Sequence, residues 1–98
     1  MKKKYVHPGF DANSQTLRLT FIDARIESFN EAEIQLSIKD ELRDFKKMDS
    51  IAKLEFSFSN IVFIDSTGMK MLMNFWKYIG EHYEIPLVFT HCSPKIIK

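Results

Sequence analysis

The side chains best placed to do chemistry stand together in the run Asp65-Ser66-Thr67-Gly68. This run follows an apolar segment with a strand pattern and precedes a segment with helical spacing of apolar residues. In open α/β sheets, ligand-binding and regulatory sites lie where strands end and helices begin. From these residues alone, one interpretation is that a hydroxyl, on Ser66 or Thr67, caps the helix. Asp65 would then favour the helix dipole, and Gly68 would allow two backbones to pack closely.

Alternating strand and helix patterns surround this run. Strand patterns occupy residues 16–21, 51–58, 61–64 and 87–90, and helical stripes run from about 31 to 48 and about 67 to 83. This order predicts a single α/β domain over residues 1–98, with a mostly parallel sheet of about four strands and amphipathic helices packed on it. Residues 1–15 are expected to form a loose segment or an edge strand, and a helix that opens at Ser93-Pro94 is cut short at Lys98.

Two local patterns add detail to the predicted elements. The continuous apolar run at residues 61–64 is typical of a strand that a parallel sheet buries on both faces. Before the first helix, Asn30 and Glu33 have the spacing of a capping box, in which each side chain bonds the other residue's amide. We therefore expect Asn30 to cap the first helix.

Composition narrows the function classes. The 98 residues are 45% hydrophobic, and 14 Lys and Arg against 13 Asp and Glu give a net charge of +1. This balance argues against disorder and against nucleic acid binding through bulk charge. The one cysteine, Cys92, has no internal disulfide partner, and no apolar run resembles a signal peptide or a membrane span. We expect a cytoplasmic protein without membrane insertion, either a monomer or a weak dimer.

Residues 54–69, LEFSFSNIVFIDSTGM, resemble the signature of the STAS domain, the fold of bacterial anti-sigma factor antagonists. That signature is a hydrophobic strand, a polar turn, a hydrophobic–Asp–Ser–Ser/Thr–Gly–hydrophobic motif and an amphipathic helix. Ser93-Pro94 is similar to the family's Ser-Pro pair at the next helix, so the likeness covers residues 52–97. The resemblance implies a STAS-like fold.

The resemblance also implies a function. In the family, the serine after the aspartate is phosphorylated by a partner kinase that is itself the anti-sigma factor; here that residue is Ser66, with Thr67 as a less favoured acceptor. A metal-dependent serine/threonine phosphatase reverses the step. The implied protein is not an enzyme, holds no cofactor and binds its partner through Asp65–Gly68 when Ser66 is unmodified. Asp65 would position this corner or contact the kinase.

The second helix carries two apolar stripes. One consists of Met69, Leu72, Met73, Trp76, Ile79 and Tyr83, and we expect it to face the sheet. Met71, Phe75 and Tyr78 form the other, which would leave an exposed patch of the kind that marks partner sites. The alternative is that both stripes belong to one wide core face.

Other functions remain as alternatives. The same fold could serve as a constitutive accessory subunit of a transporter or signalling complex, without phosphorylation. A hydrolase with Ser66 as nucleophile is disfavoured, because no histidine is placed to act as its base. A metal site is also disfavoured, since His7, His82, His91 and Cys92 match no ligand spacing.

Overall fold

The computed structural model describes residues 4–45 and 50–92, which form six strands and two helices. In chain order these are β1 (Val6–Asp11), β2 (Thr16–Phe21), β3 (Arg25–Ile26), α1 (Glu31–Asp44), β4 (Lys53–Ser57), β5 (Phe63–Ile64), α2 (Ser66–His82) and β6 (Leu87–Thr90). The predicted strand at residues 16–21 and the strand at 87–90 have the expected bounds. The helix expected from Ser93 lies outside the described residues.

The main sheet has four strands in the order β1-β2-β4-β6. β1 is antiparallel to β2, whereas β2, β4 and β6 are mutually parallel neighbours. The helical crossovers that parallel strands require are supplied by α1 and α2. The predicted α/β class with a mostly parallel sheet of about four strands is therefore confirmed, and the N-terminal segment forms an edge strand.

One face of the main sheet builds the core with the helices. Leu17, Leu19 and Phe21 alternate along β2, and Leu54 and Phe56 lie opposite them on β4. The helices contribute their inward stripes, which include Ile34, Ile38 and Leu42 from α1. Ring contacts join the layers, with Phe56 packed edge-on against Phe75 of α2 at 6.1 Å between ring centroids.

The expectation that residues 61–64 form a strand buried on both faces of the sheet is wrong. β5 has only two residues and pairs with β3 in a separate two-stranded parallel sheet. Val62 and Phe63 are 64% and 40% exposed. The reason is a turn after β4, in which the amide of Ile61 bonds the carbonyl of Phe58 and carries the chain away from the main sheet. The amide of Val62 then bonds Ala24 instead.

The first helix begins as expected but is capped differently. Asn30 stands at the N-cap position, yet its side chain makes no cap hydrogen bond. Its Oδ1 accepts from the amide of Glu27 at 2.8 Å, and its Nδ2 donates to the carbonyl of Arg25 at 2.9 Å. Glu33 accepts a hydrogen bond from Tyr5 instead. The expected capping box is wrong, because Asn30 is buried and fastens the preceding loop.

Helix α1 ends at Asp44, before the predicted end near residue 48. Residues 46–48 of the predicted helix lie outside the described part of the chain. Neither α1 nor α2 is long and apolar enough to cross a membrane, and the same holds throughout residues 4–45 and 50–92.

The opposite face of the main sheet holds a buried carboxylate. Glu55 on β4 accepts from the Arg18 Nε at 2.8 Å and from the Thr90 hydroxyl at 2.6 Å. Burial raises the pKa of the Glu55 carboxyl, but the hydrogen bonds from Thr90 and Arg18 outweigh it, so that the pKa lies below its ordinary value. The charged form of Glu55 thus links β2, β4 and β6.

Replacing this carboxylate is expected to change the acid stability of the protein. Because the folded-state pKa is lowered, the stabilisation by Glu55 is present above the ordinary glutamate pKa of 4.5 and is lost as the pH falls through the folded value. Glu55→Gln should lower the free energy of unfolding by about 1 kcal/mol at pH 7. Urea unfolding of both proteins between neutral and acidic pH measures this difference. A gap that stays constant down to strong acid would contradict the assignment.

Candidate functional site

The corner between β5 and α2 is built around Asp65. Its side-chain Oδ1 accepts from the amide of Gly68 at 2.8 Å, and its carbonyl accepts from the amide of Met69 at 3.0 Å. Asp65 is therefore the N-cap of α2, and the helix begins at Ser66, one residue before the predicted start. The expectation that Ser66 or Thr67 caps the helix is wrong, because the aspartate already bonds the free amide.

The same aspartate ties a second loop to the corner. Its Oδ2 accepts from the amide of Ser28 at 2.9 Å, and its own amide donates to the carbonyl of Ile26 at 3.0 Å. The loop that enters α1 is thereby held beside the start of α2, with Phe29 at its tip 76% exposed. Sequence reasoning missed Ser28 and Phe29, since the contact joins segments 37 residues apart.

Gly68 fills a position where no side chain fits. A Cβ at this residue would lie 2.8 Å from Ile26 Cγ2, 2.9 Å from the Ile26 carbonyl oxygen and 2.9 Å from Ile64 Cγ2. The first turn of α2 thus packs directly against β3 and β5. The expected close approach of backbones at this glycine is confirmed.

Ser66 and Thr67 occupy the first two positions of α2, and both are exposed. The first turn itself holds no acidic residue, and the Asp65 carboxylate lies at the positive end of the helix dipole, 2.8 Å from the Gly68 amide. The amides of these two residues are among those that no intrahelical carbonyl reaches. The corner therefore presents a hydroxyl beside free backbone donors, and the Asp65 carboxylate is occupied by Gly68 and Ser28.

The predicted faces of α2 need correction. Met71 and Phe75, proposed as part of an exposed partner patch, are 2% and 3% exposed, so for these two residues the alternative of a wide core face holds. Tyr78 is exposed as expected. The cause is the contact of Gly68 with Ile26, which turns that side of the helix inward. Residues three and seven positions after Gly68, namely Met71 and Phe75, then point the same way.

The stripe expected to face the sheet divides between core and surface. Leu72 and Ile79 are buried, but Met69, Met73 and Trp76 are 38%, 50% and 52% exposed. Three of the exposed apolar side chains of α2 thus come from the stripe that was expected to face the sheet.

The remaining candidate groups form no site. Within residues 4–45 and 50–92, no group of three or more His, Cys, Asp or Glu side chains could hold a metal ion. Burial raises the pKa of the Cys92 thiol, which disfavours the reactive thiolate. His82 stacks on Tyr78 with ring centroids 5.0 Å apart, and His91 Nδ1 lies 3.2 Å from the buried Ser57 hydroxyl. Neither histidine has a contact with Ser66 in the described part of the chain.

Comparison with known proteins supports the architecture. No protein-family model matches the chain, and no curated protein matches it. A solved structure described as "Crystal Structure Analysis of Mglu" is similar over 95% of this chain, with a TM-score of 0.67 and 11% sequence identity. The similar region covers 21% of that protein, so this chain spans about a fifth of its length. At this identity the likeness concerns the fold alone.

Proposed function

We propose that this protein is a phosphorylation-regulated binding protein of the anti-sigma factor antagonist type, with Ser66 as the acceptor and a cytoplasmic kinase as partner. The resemblance of residues 54–69 to the STAS signature motivates the proposal. The observation that carries it is the division of roles at the corner: Asp65 caps α2, and the Ser66 hydroxyl stays exposed. A kinase can therefore reach Ser66 without breaking the helix start.

The first turn of α2 suits a phosphate on Ser66. A phosphoserine adds about −1.5 to −2 charges and three acceptor oxygens. The free amides of Ser66 and Thr67 can donate to its oxygens, and the Asp65 carboxylate already engages the Gly68 amide on the other side of the helix start. Phosphorylation should therefore leave the fold intact and act on what docks at the corner.

A corner surface, defined here as Phe29, Ser66, Thr67 and Met69, would receive the partner. Phe29 and Met69 are exposed apolar side chains, and the bond from Ser28 to Asp65 holds the Phe29 loop in place. A partner that covers these apolar neighbours would have to desolvate a phosphate on Ser66. Because desolvation of a charged group costs free energy, the phosphate opposes docking. The partner kinase should therefore bind only the unmodified protein, and a serine/threonine phosphatase would restore binding.

The first test is phosphate transfer. After incubation with ATP and the kinase encoded next to this protein's gene, mass spectrometry should find one phosphate, on Ser66. Ser66→Ala should receive none, whereas the matched variant Thr67→Ala should be modified as the wild type is. Phosphate on Thr67 alone would overturn the assignment of Ser66.

The second test is partner binding. Ser66→Asp should bind that kinase at least tenfold more weakly than the wild type does. Ser66→Ala should bind it as tightly as the wild type does. Full affinity of Ser66→Asp, with no phosphate on Ser66 of the wild type, would overturn the switch. Co-purification of unphosphorylated protein with a membrane ATPase or permease would instead favour the constitutive accessory subunit.

A further inference from the structure

The surface of α2 beside Ser66 carries a cation, Lys70. Both residues are exposed. They are four positions apart, which places them on the same side of the helix, one turn from each other. A helical side chain leans towards the N-terminus of its helix, so the Lys70 side chain extends over the turn that contains Ser66. The ammonium group of Lys70 can therefore reach a group attached to the Ser66 hydroxyl.

Lys70 has no acidic partner in the described part of the chain. Within residues 4–45 and 50–92, no salt bridge involves this lysine. The residues three and four positions away from it on the helix carry no carboxylate; they are Ser66, Thr67, Met73 and Asn74. The charge of Lys70 can therefore pair with a new anion on the same side of α2.

The cation on β3, the strand that packs against the first turn of α2, is already engaged. Arg25 forms a salt bridge with Glu27, and its guanidinium carbon lies 4.5 Å from the ring centroid of Phe63. A phosphate on Ser66 could recruit Arg25 only by disturbing these contacts. Recruitment of Lys70 breaks no salt bridge among the described residues.

We infer that Lys70 is the residue that holds a phosphate on Ser66 against α2. This inference rests on the proposed function, because it needs a phosphate at that position. An anionic side chain four residues before a lysine is the more favourable order of charges on a helix. The carboxylate of Asp65 repels the phosphate, and the ammonium of Lys70 offsets this repulsion from the next turn. Lys70 thereby allows α2 to keep its Asp65 cap when Ser66 is modified.

The paired phosphate still opposes a partner. A phosphoserine carries about −1.5 to −2 charges, and one ammonium group neutralises only part of this charge. The corner surface therefore gains negative charge when Ser66 is modified, with or without the pairing. Lys70 fixes the position of the phosphate and does not cancel its effect on docking.

Melting temperatures of phosphorylated variants test the pairing. Phosphoserine is introduced at residue 66 during protein synthesis, which requires no kinase. Phosphorylated Lys70→Gln should melt about 3 °C below the phosphorylated wild type, whereas the two unmodified proteins should melt within about 1 °C of each other. In about 1 M salt the difference should disappear, because the salt screens the pair. Equal melting temperatures of the two phosphorylated proteins at low salt would overturn the inference.

Lys77→Gln is the matched control, because it removes the same charge from an exposed position of the same helix. Lys77 lies about 16 Å from Ser66 along the helix axis, which is about two Debye lengths at physiological ionic strength. The phosphate should therefore change the melting temperature of Lys77→Gln as it changes that of the wild type. If both variants respond to the phosphate alike and differently from the wild type, net charge and not the pairing is responsible.

Phosphorus NMR gives a readout that a purely structural role of Lys70 would not move. A nearby ammonium group favours the dianionic phosphate and so lowers the pKa of the phosphoserine. The titration midpoint of Lys70→Gln should therefore lie about 0.3 pH higher than that of the wild type, and Lys70→Arg should restore it. The other charged groups of the corner, Asp65, Arg25 and Glu27, are the same in all three proteins. An unchanged midpoint in Lys70→Gln would contradict the pairing.

These measurements separate the inference from the proposed function. If the partner kinase leaves Ser66 unmodified, the proposed function fails, and the protein with phosphoserine at residue 66 still shows whether Lys70 holds the phosphate. If the kinase modifies Ser66 but neither the melting temperature nor the titration midpoint depends on Lys70, the pairing alone fails.

Discussion

Gly68→Ala is expected to destabilise the protein by about 3 kcal/mol, which is the upper end of the typical cost of adding a methyl group to a well-packed interior. The new methyl group would lie less than 3 Å from the Ile26 carbonyl oxygen and from two isoleucine methyl groups. The side chains can shift, but the carbonyl is held because it accepts the amide of Asp65. Relief of the clash therefore has to move β3 away from the start of α2. Thermal unfolding should show a melting temperature about 15 °C lower.

Gly80→Ala is the matched control, in the same helix. No atom lies within 4 Å of a Cβ at Gly80. Alanine is the better helix former by about 1 kcal/mol, so this variant should be slightly more stable than the wild type. The two substitutions add the same methyl group, and the difference between them isolates the clash. Equal stabilisation by both would show that β3 does not pack against α2 as described.

Much of the fold follows from local patterns in the chain. Strict alternation at Leu17, Leu19 and Phe21 defines β2, and the stripe of Ile34, Ile38 and Leu42 defines α1. Strands that alternate with helices leave few arrangements besides a mostly parallel sheet. These features depend on the periodicity of neighbouring residues, which the sequence displays directly.

The orientation of α2 could not be predicted in this way. Both of its stripes are apolar, so hydrophobic periodicity favours neither as the buried one. The contact between Gly68 and Ile26, which are 42 positions apart in the chain, decides the rotation. The apolar run at residues 61–64 misled for a related reason: its side chains suit a buried strand, but the preceding turn directs it to β3.

The candidate site was also predictable from the sequence only in part. The motif Asp65–Gly68 located the corner, and the roles within it required three dimensions. Capping by Asp65 and by Ser66 are both compatible with the sequence, since aspartate and serine are equally good N-caps. The bond from Ser28 to Asp65 settles where the Phe29 loop lies, and no local pattern reports it.

Asp65→Ala should therefore affect both stability and the corner surface. The substitution leaves the amides of Gly68 and Ser28 without their carboxylate partner. Loss of an N-cap costs about 1 kcal/mol, and loss of a hydrogen bond to a charged group about 2 kcal/mol, so unfolding should become easier by about 3 kcal/mol. Urea unfolding measures this difference.

Asp65→Asn separates the two bonds. Its side-chain oxygen can still accept from Gly68, but the amide nitrogen that replaces the other oxygen cannot accept from Ser28. We expect about half the loss of stability, with faster hydrogen exchange at the Ser28 amide and an unchanged α2. Partner binding should fall in both variants although Ser66 is intact, because the Phe29 loop is no longer held beside the serine. If Asp65→Asn binds the partner as the wild type does, Phe29 is not part of the docking surface, and Ser66 recognition rests on the start of α2 alone.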